Sequence, residues 1–206
     1  MAASSMTALT LKLDRIIRLT DEQFYQLCQD NPELKLERTA TGELVIMSPT
    51  GGETGKQNSD LIIELGLWNR QTQLGVVFDS STGFKLPNGA NRSPDVAWIP
   101  IDRWQALAPS QRKRFLPLCP NFLIELLSPT DTWEAGTAKM EEYQDNGNQL
   151  GWLIDPENRQ VAIYRIGEPV EVLRPLRATA LGGSPPSLSG EAVLPGFTLS
   201  LELMWS

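Results

Sequence analysis

Asn121-Phe122-Leu123-Ile124-Glu125-Leu126-Leu127 is a run of aliphatic and aromatic residues with one acid inside it, entered from Pro120 and left through Ser128-Pro129. A short apolar run bounded by prolines predicts a buried strand. Glu125 then sits where its neighbours favour an apolar side chain. A second stretch, Ser93-Pro94-Asp95-Val96-Ala97-Trp98, repeats the pattern with Asp95 directly after a proline. An isolated carboxylate in such a setting takes up a proton or finds a cation. Two of them on adjacent strands form a candidate site for a hard divalent metal, because Mg²⁺ is commonly held by one or two carboxylates together with water and substrate phosphate oxygens. The structural alternatives are equally concrete: Asp95 could cap a turn, and Glu125 could pair with an arginine in the core.

Working outward, the 206 residues suit one domain with a full core, spanning 1–206, with 1–15 expected as an extended or poorly ordered segment. No internal repeat and no apolar run long enough to span a bilayer is present. The opening Met1-Ala2-Ala3-Ser4-Ser5-Met6 lacks a basic patch followed by an apolar stretch, so the cytoplasm is the expected compartment. Histidine is absent, which excludes Ser-His-Asp and Cys-His catalysis and every histidine metal site. Any general base must be a carboxylate, a lysine or a metal-bound water. The two cysteines, Cys28 and Cys119, have no CxxC spacing and read as small buried residues in a reducing compartment. With 18 basic and 25 acidic residues the net charge is −7, which argues against sequence-independent binding of a polyanion. Arg112-Lys113-Arg114 is the one dense basic cluster and reads as a solvated helix face.

Thr20-Asp21-Glu22-Gln23 predicts a helix start with a capping box, and Asn31-Pro32 its end. Leu34–Arg38 and Glu43–Met47 read as a hairpin about Ala40-Thr41-Gly42, with Glu37 near the turn. From about Glu53 the period becomes helical, with Asn58, Leu61, Ile62, Leu65 and Trp68 on one stripe. Gly75–Phe78 and Thr82–Leu86 are short strands, and a helix is expected from about Pro109 to Phe115. After the Glu125 strand, a helix from about Thr132 to Gln144 takes Asp131 as its N-cap and stops at Gly147. Ala135, Lys139 and Tyr143 share a face of it, so Lys139 either points to solvent or, if that face meets the sheet, is directed at the two acids. Gln149–Asp155 and Gln160–Ile166 form a further hairpin, with Asp155 in its turn. Val170–Leu173 is a short strand, and a Gly-, Ser- and Pro-rich stretch runs through Ser189. The apolar end, Leu194 to Trp205, should dock on the domain or on a second subunit.

In this order the pieces resemble the PD-(D/E)XK nuclease-like superfamily, and within it the Uma2 family of endonucleases (DUF820), which is abundant in cyanobacteria. The pieces that carry the likeness are Leu36-Glu37 with Gly42-Glu43-Leu44-Val45, Ser48-Pro49-Thr50-Gly51-Gly52, Ser93-Pro94-Asp95-Val96, Ile124-Glu125-Leu126-Leu127-Ser128-Pro129-Thr130-Asp131, Lys139 with Tyr143, and Trp152-Leu153-Ile154-Asp155-Pro156. The resemblance implies an α/β (α+β) fold: a restriction-endonuclease-like mixed central sheet flanked by helices, with additional β-hairpins. It further implies Mg²⁺- or Mn²⁺-dependent hydrolysis of DNA, most naturally by a homodimer. Asp95 and Glu125 would hold the metal, Glu37 would be a further ligand or a base acting through water, Lys139 would orient or activate the attacking water, and Tyr143 would support the site from behind. Clustered acids should also raise one another's pKa when no metal is bound. Two departures stand out. The superfamily's usual lysine position, two residues after the second acid, is Leu127 here, so the role passes to Lys139 on the following helix. A histidine frequent near the start of the family's long helix is replaced by Glu53-Thr54-Gly55-Lys56. The competing reading is a nuclease-like fold that no longer cuts and serves as a nucleic-acid- or protein-binding module; an enzyme of the same fold with another substrate is a third.

Overall fold

Alternation along Phe122–Leu126 sets the architecture, because its two faces meet two different layers. The computed structural model describes residues 8–13, 16–174 and 186–205. In chain order the elements are β1 (Ala8–Leu11), α1 (Asp21–Asp30), β2 (Lys35–Arg38), β3 (Leu44–Met47), α2 (Gly52–Thr72), β4 (Gly75–Asp79), β5 (Phe84–Lys85), β6 (Asn91–Arg92) and β7 (Val96–Pro100). They continue with α3 (Ile101–Ala106), β8 (Phe122–Leu126), α4 (Trp133–Asp145), β9 (Leu150–Asp155), β10 (Gln160–Arg165), β11 (Glu171–Leu173), β12 (Ser187–Ser189), β13 (Thr198–Ser200) and α5 (Glu202–Trp205). The central sheet has the order β11-β10-β9-β8-β7-β4 and is mixed: β8 and β9 run parallel, joined through α4, and the other neighbours are antiparallel. A five-stranded sheet, β1-β3-β2-β6-β5, packs beside it, and β12 pairs with β13.

On β8, Phe122, Ile124 and Leu126 face Leu61, Leu65 and Trp68 of α2 and the C-terminal Phe197, Leu199 and Met204. Trp152 of β9 is fully buried there and stacks on Phe197 at 6.0 Å. The apolar C-terminus therefore docks on its own chain, filling the gap between α2 and the sheet. The opposite face presents Leu123, Ala97, Ile99 and Leu153 to Met140 and Tyr143 of α4. A third, smaller core holds Phe24, Leu36 and Leu44 under α1.

The capping box of Thr20 and Gln23 forms as expected, and Gly147 adopts φ +95° just past α4, a conformation that favours glycine. Three expectations are corrected. The helix before β8 is α3, starting directly after Pro100, while residues 108–114 form successive turns closed by Gln111 N–H and Arg112 N–H on Ala108 O. Arg112 and Arg114 are accordingly not a solvated helix face: Arg112 donates to Leu107 O and Gln105 O, and Arg114 pairs with Glu22 over the Tyr25 ring. The α4 N-cap is Thr132, whose hydroxyl accepts Ala135 N–H, because the Asp131 carboxylate is drawn into the preceding turn by Ser128 N–H and Oγ–H. Ala8–Leu11, in the segment expected to be extended or poorly ordered, is a strand paired with β3. Met1–Thr7, Asp14, Arg15 and most of the Gly-, Ser- and Pro-rich stretch lie outside the described residues. Among the described residues no helix is long and apolar enough to cross a membrane.

Candidate active site

Strand parity places the two acids. Glu125 shares a face with Leu123, the face covered by α4, and Asp95 shares one with Ala97. The antiparallel register pairs Val96 with Ile124 and Ala97 with Leu123, so one further step sets Asp95 opposite Glu125. Asp95 Oδ2 accepts the Leu126 N–H at 2.9 Å, which anchors that carboxylate to the end of β8.

Glu37 arrives from the other sheet. Arg38 pairs with Asn91, which brings Glu37 beside Arg92, and Ser93-Pro94-Asp95 then carries the chain from β6 into β7. Arg92 Nη1 lies 3.0 Å from Glu37 Oε2 and its Nε 2.6 Å from Glu142 of α4. Glu37 Oε1 accepts Ser93 N–H at 2.9 Å. Lys139 joins the two sheets: its Nζ is 3.1 Å from Glu37 Oε1 and 2.9 Å from Glu125 Oε1. Tyr143, one turn further along α4, donates its hydroxyl to the same Glu125 oxygen at 2.9 Å. Asp95, Glu125, Lys139, Tyr143 and Glu37 thus come together across 106 positions of sequence, from residue 37 to residue 143. Lys139 takes the inward direction of the two its spacing allowed.

The electrostatics divide the acids. Burial alone would raise Glu37, but Lys139, Arg92 and the Ser93 N–H overcome it and hold the carboxyl at about 2. For Glu125 burial dominates, and the neighbouring Asp95 and Glu37 charges add to it against Lys139, leaving the carboxyl at about 7. Asp95 is also raised, chiefly by burial, with Lys35 and the Leu126 N–H acting the other way. The expected elevation by neighbouring acids therefore holds for Glu125, raised by Asp95 and Glu37, and for Asp95, raised by Glu37, and reverses for Glu37, which alone of the three has a guanidinium beside it. Lys139 stays an ammonium: burial disfavours its charge, but Glu125 and Glu37 raise its pKa above the ordinary value. Burial pushes the Tyr143 hydroxyl well above its ordinary range, so it is a donor and not a phenolate.

Glu37 is 2% exposed and sits at the centre of the network, since it bonds both cations. Three participants went unread in the sequence: Arg92, Glu142 and Lys35, whose Nζ is 4.0 Å from Asp95 Oδ1. Only the two-residue step from Glu37 back to Lys35 on one strand face could have signalled any of them. Leu127, at the position of the superfamily's usual lysine, packs against the apolar cluster under α4.

A divalent cation fits the sheet pair by the chemistry of its donors. Both Glu37 oxygens are occupied by N–H donors, whereas Asp95 Oδ1 and Glu125 Oε2 accept no hydrogen bond from another described residue. Two carboxylates completed by water and phosphate oxygens are a common Mg²⁺ set. Among the described residues no group of three or more acidic, histidine or cysteine side chains is arranged for a metal.

No curated protein matches the chain. A solved structure, a "putative nuclease belonging to DUF820" from Anabaena variabilis ATCC 29413, superposes with a TM-score of 0.70 at 19% identity, covering 91% of this chain and 97% of its own. At that identity the likeness shows the fold, a mixed nuclease-like sheet with flanking helices. The family model Uma2, described as "Putative restriction endonuclease", matches residues 21–202. Since that match runs from the first turn of α1 into α5, the chain belongs to the Uma2 family.

Proposed function

We propose that this chain is a metal-dependent endonuclease that hydrolyses phosphodiester bonds in DNA. The observation that carries the reading is the ammonium of Lys139 bridging Glu37 and Glu125 beside Asp95, on strands the register has aligned. Asp95 and Glu125 would hold Mg²⁺ or Mn²⁺, which when bound neutralises charge on the phosphate and makes a bound water more acidic. Lys139, fixed as an ammonium between two acids, is suited to orienting a water and offsetting negative charge, and not to abstracting a proton. Glu37 acts as a positioning residue that holds Lys139 and Arg92 in place. Tyr143 fixes the rotamer of Glu125 by its hydrogen bond. A homodimer would place two such sites for the two strands of a duplex.

The binding-module reading draws on one observation, the closed ion-pair chain Glu142–Arg92–Glu37–Lys139–Glu125, which satisfies much of the charge internally. Calorimetric titration of Mg²⁺ and Mn²⁺ into the wild type and Asp95→Ala, followed by incubation with plasmid DNA, separates the two. The nuclease reading expects metal binding in the wild type alone and nicking that falls on the order of a thousandfold in the variant. Metal binding without any nicking would favour the module.

A further inference from the structure

Beyond Lys35 and Ser93, the neighbours of Asp95, lies a cleft of about 460 Å³ bordered by the end of α1, β2 and the turn after β4. Small-molecule sites span roughly 300–1,000 Å³. Lys35 stands on its wall, its side chain 34% exposed, with Nζ 4.0 Å from Asp95 Oδ1. That separation is too long for a hydrogen bond, and the ammonium donates none to another described residue. Its donors remain available to a ligand. Ser93 and Ser80 line the same cleft, and neither hydroxyl is bonded to another described residue. The lining also includes apolar groups: Leu34, 40% exposed, and the half-buried ring of Phe115. A cation with free hydroxyls suits a phosphate, and an aromatic or aliphatic surface beside them suits an unpaired base.

We propose that this cleft takes one nucleotide of a single-stranded stretch of the substrate, its phosphate on Lys35, Ser93 and Ser80 and its base against Leu34 and Phe115. The inference rests on the phosphodiester reading of Asp95 and Glu125, and it adds a subsite and a substrate preference to that reading. In a duplex the base is stacked and paired and cannot meet the apolar lining, so the cleft selects frayed, flapped or otherwise unpaired strands. Glu33 also lines the cleft and is exposed; its charge opposes the phosphate, which gives the test two signs.

The experiment is fluorescence anisotropy of a short labelled oligothymidylate, with Ca²⁺ replacing Mg²⁺, across a salt series, alongside plasmid nicking in Mg²⁺. Lys35→Gln should bind roughly tenfold more weakly, with the slope of log affinity against log salt reduced by about 0.7. Glu33→Gln should bind more tightly, and Leu34→Ala, which alters no charge, should lose about fivefold at unchanged slope. The wild type should bind the same sequence more weakly as a duplex. If Lys35→Gln keeps wild-type affinity and slope while the wild type binds and nicks, the subsite is overturned and the nuclease reading stands. If Leu34→Ala is unchanged or the duplex is preferred, the assignment of an unpaired base is overturned. If the wild type neither binds oligothymidylate nor nicks plasmid, both readings fall together.

Discussion

Glu37 and Glu125 are both nearly buried and both bonded to Lys139, yet the sheets that carry them treat them oppositely. On the five-stranded sheet Glu37 receives Arg92, Lys139 and a backbone N–H and stays ionised down to about pH 2. On the central sheet Glu125 shares Lys139 with it, faces Asp95 across the ladder, and is poised near 7. Burial raises a carboxyl in either place; the count of cations and N–H donors decides the sign. One glutamate is thereby a structural anchor, and the other, with Asp95, is a pair of incompletely compensated charges that a divalent cation would relieve.

The contrast breaks most severely at the anchor. Glu37→Ala leaves Arg92 and Lys139 without their shared partner and should cost about 3–5 kcal/mol of folding free energy, read from the urea midpoint; a loss below about 1 kcal/mol would show that Glu37 is not the anchor. Next in size is the dependence on pH. The lowered Glu37 contributes stability that is present above its ordinary value near 4.5 and is lost as the pH falls from there through about 2. The raised Glu125 does the reverse: its contribution is present below about 4.5 and is lost as the pH rises through about 7. Each slope is at most about 1.4 kcal/mol per pH unit. Urea titrations between pH 4.5 and 7 should show Glu125→Gln losing less stability than the wild type, the remaining loss being that of the raised Asp95, with Mg²⁺ restoring the wild type more than the variant. The smallest effect is expected at Tyr143→Phe, which removes the hydrogen bond to Glu125 and leaves the fold in place. Mg²⁺ affinity should fall about tenfold, measured calorimetrically; an unchanged affinity would assign the hydroxyl a packing role only.

Much of the frame is legible from local pattern. The Phe122–Leu126 strand, the Thr20 capping box, the hairpin at Gly42 and the α2 stripe of Leu61, Leu65 and Trp68 follow from alternation, capping and helical period, which act over a few residues. The misplaced helix at 109–115 fails for a physical reason: the pull of Phe115 towards Phe24 and Tyr25 outweighs helix propensity. The expected Asp131 cap gives way to Thr132 because the N–H and hydroxyl of Ser128 compete for the Asp131 carboxylate.

By itself the sequence determined which residues were available: two acids in apolar strands, a lysine on the next helix, and no histidine anywhere in the chain. It also determined that Glu125 lies on the opposite strand face from Ile124 and Leu126, because parity along a strand is a local property, whereas the layer covering each face is not. Only the tertiary structure decided that Lys139 turns inward, that Arg92 and Glu142 join the network, and that Lys35 comes within 4.0 Å of Asp95. Those contacts depend on how the two sheets and α4 converge at Ser93-Pro94-Asp95. Side chains 55 positions apart, as Glu37 and Arg92 are, carry no local signature of their pairing.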